Sequence, residues 1–288
     1  MGQAMVADAT GITKRKVDFF AIFIFSLISA VTVVGVPLFG YFFDYTWVDW
    51  SLFAVLYVVT GMGITVGYHR MISHRSFTCP EPVKIAFLIA GGWALENSAL
   101  KWCSDHVRHH ANVDKDADPY NAQKGFWYSH LLWIFLKDPY ADDKYAAAFK
   151  KDKWIVWQHQ YYLQIVLAGL VLPAVIGFLH RGWIGALSGF LLAGVCRTFL
   201  VLNSTFCINS ICHMWGDQPN SQLNSSRDSW WISLITFGEG YHNYHHTYPR
   251  DYRNGPKWYN FDPSKWLIFS LYLLGLARDL SSRSASAQ

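Results

Sequence analysis

Apolar and polar positions along this chain are organised on two length scales. On the longer scale there are four apolar runs, Phe19 to Phe43, Leu52 to Tyr68, Tyr161 to Leu179 and Trp183 to Phe206. A helix needs about 20 predominantly apolar residues to cross a bilayer. Each run is long enough or nearly so, the second being short but extendable. The links within each pair are short: Asp44 to Ser51 has no Lys or Arg, and His180 to Gly182 has only Arg181. The pattern predicts an all-α integral membrane protein with four transmembrane helices in two hairpins, spanning about 19–43, 52–68, 161–179 and 183–206. Lys14-Arg15-Lys16 precedes the first run. That run is too long for a signal peptide and lacks a cleavage motif, so it reads as an anchor.

On the shorter scale, Val83 to Leu100 is apolar but broken by Gly91-Gly92 and Glu96-Asn97. This predicts a short helix on or dipping into the membrane rather than a fifth span. Asp143 to Trp157 mixes Lys with Ala, Phe and Trp and predicts an interfacial helix. Trp266 to Ala277 predicts another. No internal repeat, low-complexity tract or linker interrupts the chain, so residues 1–288 are expected to form a single domain.

Composition agrees with a membrane setting. Of the 288 residues, 52% are hydrophobic and only 15% charged, against about 25% charged in soluble domains. Fourteen Trp and sixteen Tyr suit long membrane–water boundaries. Five cysteines without CxxC spacing point to a reduced compartment without a disulfide framework. A net charge of +4 is too small to argue for nucleic acid as a partner. Nearly all Lys and Arg lie before the first run, between the second and third, or after the fourth. The positive-inside rule then puts both termini and the middle segment in the cytoplasm.

The chemistry lies in the histidines. Nine of twelve fall in HRMISH (His69, His74), HVRHH (His106, His109, His110), NSICH (His213) and HNYHH (His242, His245, His246). All nine are expected on the cytoplasmic face. His130, His159 and His180 read as structural. On a helix, i, i+3 and i+4 share a face, so each HxxHH presents three nitrogens together. The i, i+5 spacing of HRMISH rotates its second ring roughly 140° away on an α-helix, so its two rings are expected to serve different positions. Nine imidazoles exceed any single ion. Two ions with four or five nitrogens each fit best, and redox-active iron is the natural choice. Asp105, Glu239 and the run Asp114, Asp116, Asp118 are placed to accept the outer N–H groups of such ligands, although the Asp run also suits a turn. Asn209 lies one turn before His213 and could hold a metal-bound water.

These motifs resemble the membrane fatty acyl desaturases, near the stearoyl-CoA (Δ9) type, through GITVGYHRMISHRSF, DHVRHH, DADPYNAQKGFWYSH, LNSTFCINSICHMWG and GEGYHNYHHTYPRDY, roughly Gly61 to Tyr252. The resemblance implies four spans with a cytosolic helical cap holding a di-iron site. It implies the nine clustered histidines as ligands of two Fe ions, Fe2+ in the reduced resting form, with Asn209 acting through water. It implies that O2 and two electrons serve to introduce a cis double bond into a saturated acyl chain held in a bent apolar tunnel. Trp93, Glu96, Asn97 and Thr205 are expected near the bend, and Phe53 and Tyr57 at the closed end. Lys101, Arg108 and Lys124 are expected to contact an acyl-CoA headgroup.

Two departures bear on the substrate. Ser104 and Gln123 stand where basic residues are common in the animal acyl-CoA enzymes. An acyl-CoA remains the leading substrate and a membrane glycerolipid the main alternative. No HPGG haem-binding motif is present, so electrons are expected from a separate ferredoxin, cytochrome b5-like protein or reductase. Compactness points to a bacterial inner membrane, with the endoplasmic reticulum second. Hydroxylation of a lipid or alkane on the same scaffold is the enzymatic alternative, and a metal transporter or sensor the non-enzymatic one. Transporters usually place their ligands at mid-membrane in broken helices, whereas these histidines lie beyond the span ends.

Overall fold

A computed structural model describes residues 15–138 and 143–283. Lys14 of the basic cluster and the extreme termini lie outside the described residues. The regular secondary structure among them is helical, with only isolated β-bridges besides. Three helices are long and apolar enough to cross a membrane: α1 (Phe19–Phe43), α2 (Trp47–Ser73) and α6 (Tyr162–His213).

Helix α1 starts where the Asp18 carboxylate accepts the Ala21 N–H at 3.1 Å. None of its most apolar stretch is buried inside the protein, as expected of a surface that meets lipid. Helix α2 starts at Trp47, five residues before the apolar run. Its signal is a capping box: Thr46 Oγ1 accepts the Asp49 N–H, and the Asp49 carboxylate accepts the Thr46 N–H at 2.8 Å. The predicted start was late because Trp47, Val48, Asp49 and Trp50 do not read as an apolar run.

The predicted third and fourth spans both fall within α6, a 52-residue stretch with non-helical backbone at Arg181 and Gly182. Gly182 takes φ +59, a conformation glycine adopts freely. The two halves of α6 fold back on each other there. A Cβ on Gly177 would overlap the Gly185 carbonyl, and one on Gly189 the Pro173 carbonyl, so small residues let the backbones touch. The Arg181 guanidinium donates to the carbonyls of Phe43 (2.9 Å) and Asp44 (3.1 Å). Both chain reversals therefore meet at one end of the bundle.

The other end carries the cap. Helix α3 (Glu81–Gly92) has 12 residues, about 18 Å and too short to span a bilayer. It lies against the second half of α2, where Gly63 and Gly67 let Ala90, Gly91 and Phe87 approach. The chain then reverses through Leu95 and Asn97, both at positive φ, into α4 (Ala99–Asn112). The single interfacial helix expected over Asp143 to Trp157 is instead a turn at 143–146, a 3-10 turn at Phe149–Lys151 and a separate helix α5 (Lys153–Gln160). Asp152 causes the break, because its carboxylate caps α5 by accepting the Trp154 and Ile155 N–H groups. Short α7 (His242–Thr247) and terminal α8 (Pro263–Leu273) complete the cap. Helix α8 starts three residues before the predicted Trp266 because Asp262 caps it.

Candidate metal centre

The last part of α2, Gly63–Ser73, is wound as a π-helix. Its hydrogen bonds run i to i+5, and the His74 N–H donates to the His69 carbonyl at 3.1 Å. This overturns the expectation that the two rings of HRMISH diverge. The wider turn places i and i+5 one above the other, and both rings join one group.

The two HxxHH motifs also behave differently from the expected threesomes. In each, the face is shared but the ligands are divided. His106 and His110 on α4 join His69, His74 and His245, whereas His109 joins His213, His242 and His246. Positions i and i+4 of a motif go to one group and i+3 to the other. Within each group the inward nitrogens lie within 4.8 Å of one another. Contacts between Nε2 atoms include His74–His106 at 2.8 Å, His69–His245 and His110–His245 at 3.0 Å, His242–His246 at 3.0 Å and His213–His242 at 3.1 Å.

The outer nitrogens decide what the inner ones offer. His69 Nδ1–H donates to Glu239 at 2.8 Å, and His109 Nδ1–H to Asp118 at 2.9 Å. His213 Nδ1–H donates to Ser225 Oγ at 2.7 Å, and that hydroxyl donates to Asp114. An ionised carboxylate only accepts, so these imidazoles carry their proton outward and turn a bare lone pair inward. Burial, then neighbouring imidazoles, push His106, His110, His242, His245 and His246 well below the usual range, so these rings stay neutral. Lone pairs aimed at one another at about 3 Å repel unless a cation sits among them. The donor set therefore fits a metal ion in each group.

Other expected outer partners are placed differently. Asp105 pairs with Lys101 (2.9 Å) and Arg108 (3.3 Å) rather than with His106. Glu239 serves His69 rather than the nearby His242. Asp116 is 86% exposed and faces Lys124 at 3.7 Å. Sequence reasoning missed the Trp102 ring, stacked 5.0 Å from His106, and Tyr120 OH, 3.4 Å from its Nδ1. It also missed Asp228, whose carboxylate accepts the Asn243 and Tyr244 N–H groups and so holds the start of α7.

A cavity of about 460 Å³ runs beside both groups. Its mouth carries Arg15, Lys101 and Lys137 with Asp18, Asp105 and Asp138. Of its other lining residues, Asn97 is exposed, Glu96, Thr205, Asn209, His106 and His242 are buried or half-buried, and Gly61, Val201 and Phe237 form a buried apolar end. Glu96 and Thr205, both expected near a bend, meet in this wall, Thr205 Oγ1 donating to Glu96 at 2.7 Å and Trp102 Nε1 donating at 3.0 Å. Trp93 is not in this wall, because its ring packs against Gly169. Phe53 and Tyr57 are not in it either. They stack on each other (6.2 Å) behind the Phe237 ring, which itself faces the cavity. Arg108 is 2% exposed and turned to Asp105 and Asp138, and Lys124 lies over the Tyr128 ring, so neither is presented at the mouth.

Burial raises the Glu96 carboxyl from the usual value near 4.5 to about 7, against opposing hydrogen bonds from Thr205 and Trp102. The folded chain thus holds this proton more tightly than the unfolded one. Stability should be full below about pH 4.5 and fall as pH rises from there through about 7, by on the order of 3 kcal/mol. Glu96→Gln should remove that slope. Its thermal midpoint in detergent should exceed wild type near pH 8, with the gap closing near pH 5.

The family model described as fatty acid desaturase matches residues 45–272. Over 273 residues the chain is 40% identical to acyl-CoA desaturase 1 of Saccharomyces cerevisiae, covering 90% of this chain and 52% of that one. It is 37% identical over 245 residues to an sn-2 palmitoyl-lipid 9-desaturase of Nostoc, covering 83% of each. It is 34% identical to human stearoyl-CoA desaturase 5, covering 80% of this chain and 71% of that one. The chain spans about half the length of the curated yeast relatives it matches (52% and 49%).

Proposed function

Because this chain belongs to the fatty acid desaturase family, we propose that it is an O2-dependent acyl desaturase that places a cis double bond at Δ9 of a saturated chain. The observation that carries this reading is the passage of one cavity, deep end apolar, past both imidazole groups. The net reaction balances as a saturated chain plus O2, two electrons and two protons giving a monoene and two waters. His69, His74, His106, His110 and His245 would hold one iron. His109, His213, His242 and His246 would hold the other, with Asn209 nearby on the cavity wall through a water. Bound there, iron would supply the O2-activating redox chemistry, fed by electrons from a ferredoxin-, cytochrome b5- or reductase-type donor.

The protein's own part is positioning. Every methylene of the chain is chemically alike, so selectivity rests on which carbon is presented. Glu96, Trp102 and Thr205 fix the wall beside His106, and Phe237 stops the far end. The reading includes one domain that crosses the membrane four times in two hairpins, α6 supplying the last two passes. The fold-back of α6 at Gly182 and the shared end of the two reversals support this. The Lys and Arg distribution supports a cytoplasmic metal site and termini.

An acyl-CoA is the first substrate to test. The second reading, an acyl chain on a membrane glycerolipid, is favoured by one observation: of the basic residues expected at a CoA headgroup, Lys101 is paired with Asp105, Arg108 is buried on Asp105 and Asp138, and Lys124 lies over Tyr128, which leaves little attraction for a polyphosphate. The test is the fatty-acid profile of membranes containing the chain and a compatible electron donor, supplied with each substrate. New cis-monoenes at Δ9 are expected. Hydroxy acids would move the chain to the hydroxylases, and no O2-dependent product with any donor would sink the reading.

A further inference from the structure

Beside the five-imidazole group lies a buried charge network that the reaction does not use directly. Glu239 is 3% exposed and has two faces. Its Oε2 accepts from His69 Nδ1–H at 2.8 Å and from Asn254 Nδ2 at 2.5 Å. Its Oε1 accepts from Arg70 Nε at 3.1 Å and Nη2 at 2.9 Å. The Arg70 guanidinium is 1% exposed and is clamped from its other edge. Asp262 Oδ1 accepts from Nη2 at 2.9 Å, Asp262 Oδ2 from Nη1 at 3.1 Å, and the Tyr252 carbonyl from Nη1 at 2.8 Å. Asp262 is itself fixed by the N–H groups of Asn254, Gly255 and Lys265, the last in the first turn of α8.

We propose that Arg70 and Asp262 are positioning residues for the five-imidazole group, and that α8 is joined to the metal site through them. A planar guanidinium held by two carboxylates cannot rotate. It fixes the plane of Glu239, and Glu239 fixes both the tautomer and the ring orientation of His69. Burying three charges is poor value as a source of stability, since well-packed apolar residues often do as well or better. Orientation of a ligand is a use that apolar residues cannot replace. The network contacts His69 and no imidazole of the four-membered group, so its influence is confined to one ion.

This inference rests on the reading that each group takes one metal ion. The test uses the full chain in detergent, freed of metal and titrated anaerobically with Fe2+, with ion content per chain and helical signal as readouts. Wild type is expected to bind two ions, and a chain that binds none would sink the metal reading itself. Asp262→Asn keeps the cap oxygen but loses the charge, and Arg70→Lys loses the fork. Each is expected to retain its helical signal and to bind one ion as wild type does and the other about 10–100-fold more weakly, the usual cost of an outer partner. Asp49→Asn, which alters a buried carboxylate outside this network, should bind both normally. Two ions bound at wild-type affinity in both variants would overturn the proposal. Equal weakening of both ions, or collapse of both variants, would assign the network to folding and overturn it as well.

Discussion

His245→Ala should abolish desaturation while leaving the chain in the membrane. Its Nε2 lies 3.0 Å from those of both His69 and His110, so it joins α2, α4 and α7 within the five-imidazole group. Removing the ring takes a proposed ligand from the middle of that set. Outer partners of metal ligands cost about 10–100-fold, and a central ligand should cost more, so monoene should fall below about one-hundredth of wild type. The fold should survive, because α7 has six residues and its start is held by Asp228 through backbone N–H groups that the substitution does not touch. His106→Ala, in the same group, and His242→Ala, in the other, should do likewise. The check is the fatty-acid profile beside the amount of protein in the membrane fraction. Wild-type monoene from any of the three would break the two-group site.

How much of this was legible in the sequence follows from the range of the forces. Apolar runs are local, and they predicted the long apolar helices. Caps are local too, yet Asp49 and Asp152 were read as link and interfacial charge, which cost the true starts of α2 and α5. The histidines were found because they cluster, but their grouping was not. That depends on the π-helical winding of Gly63–Ser73, which turns an i, i+5 pair from opposed to aligned, and on two facing helices that each give their i+3 ring to the other group. Outer partners were legible in kind, as acidic residues near histidines. Their assignment needed the third dimension. Asp118 serves His109 nine residues back, Glu239 serves His69, 170 positions away in the sequence, and Asp262 acts on Arg70 from a further turn.

The deep end of the cavity carries the second large expectation. Sequence placed Tyr57 there, but Tyr57 stands one layer back. Its hydroxyl donates to the Ile235 carbonyl at 2.9 Å, and its ring lies 5.6 Å from that of Phe237. Phe237 is a non-glycine residue at φ +54, a backbone state that persists only when its surroundings enforce it. Ser264 Oγ donates to its carbonyl at 2.9 Å, and the next N–H, of Gly238, donates to the Ser233 carbonyl at 3.1 Å. The ring so held abuts Gly61, where a Cβ would run into it. Gly61 lies eight residues before His69, nearly two turns further along the helix, so the stop lies beyond the metal site. Phe237→Ala should therefore admit longer chains without moving the double bond, whose distance from the carboxyl end is set at the mouth. One methylene in an apolar pocket is worth about tenfold or more, so the ratio of stearoyl to palmitoyl product should rise at least about tenfold. Truncating a buried Phe can cost about 3–5 kcal/mol of stability, so Phe237→Leu belongs beside it as a milder step in the same direction. Gly61→Ala should shift the ratio the other way, because its methyl pushes the ring into the cavity. Opposite signs at two touching positions cannot come from general destabilisation. Unchanged ratios in all three variants, measured by double-bond-resolved mass spectrometry of the products, would remove Phe237 from the end of the cavity.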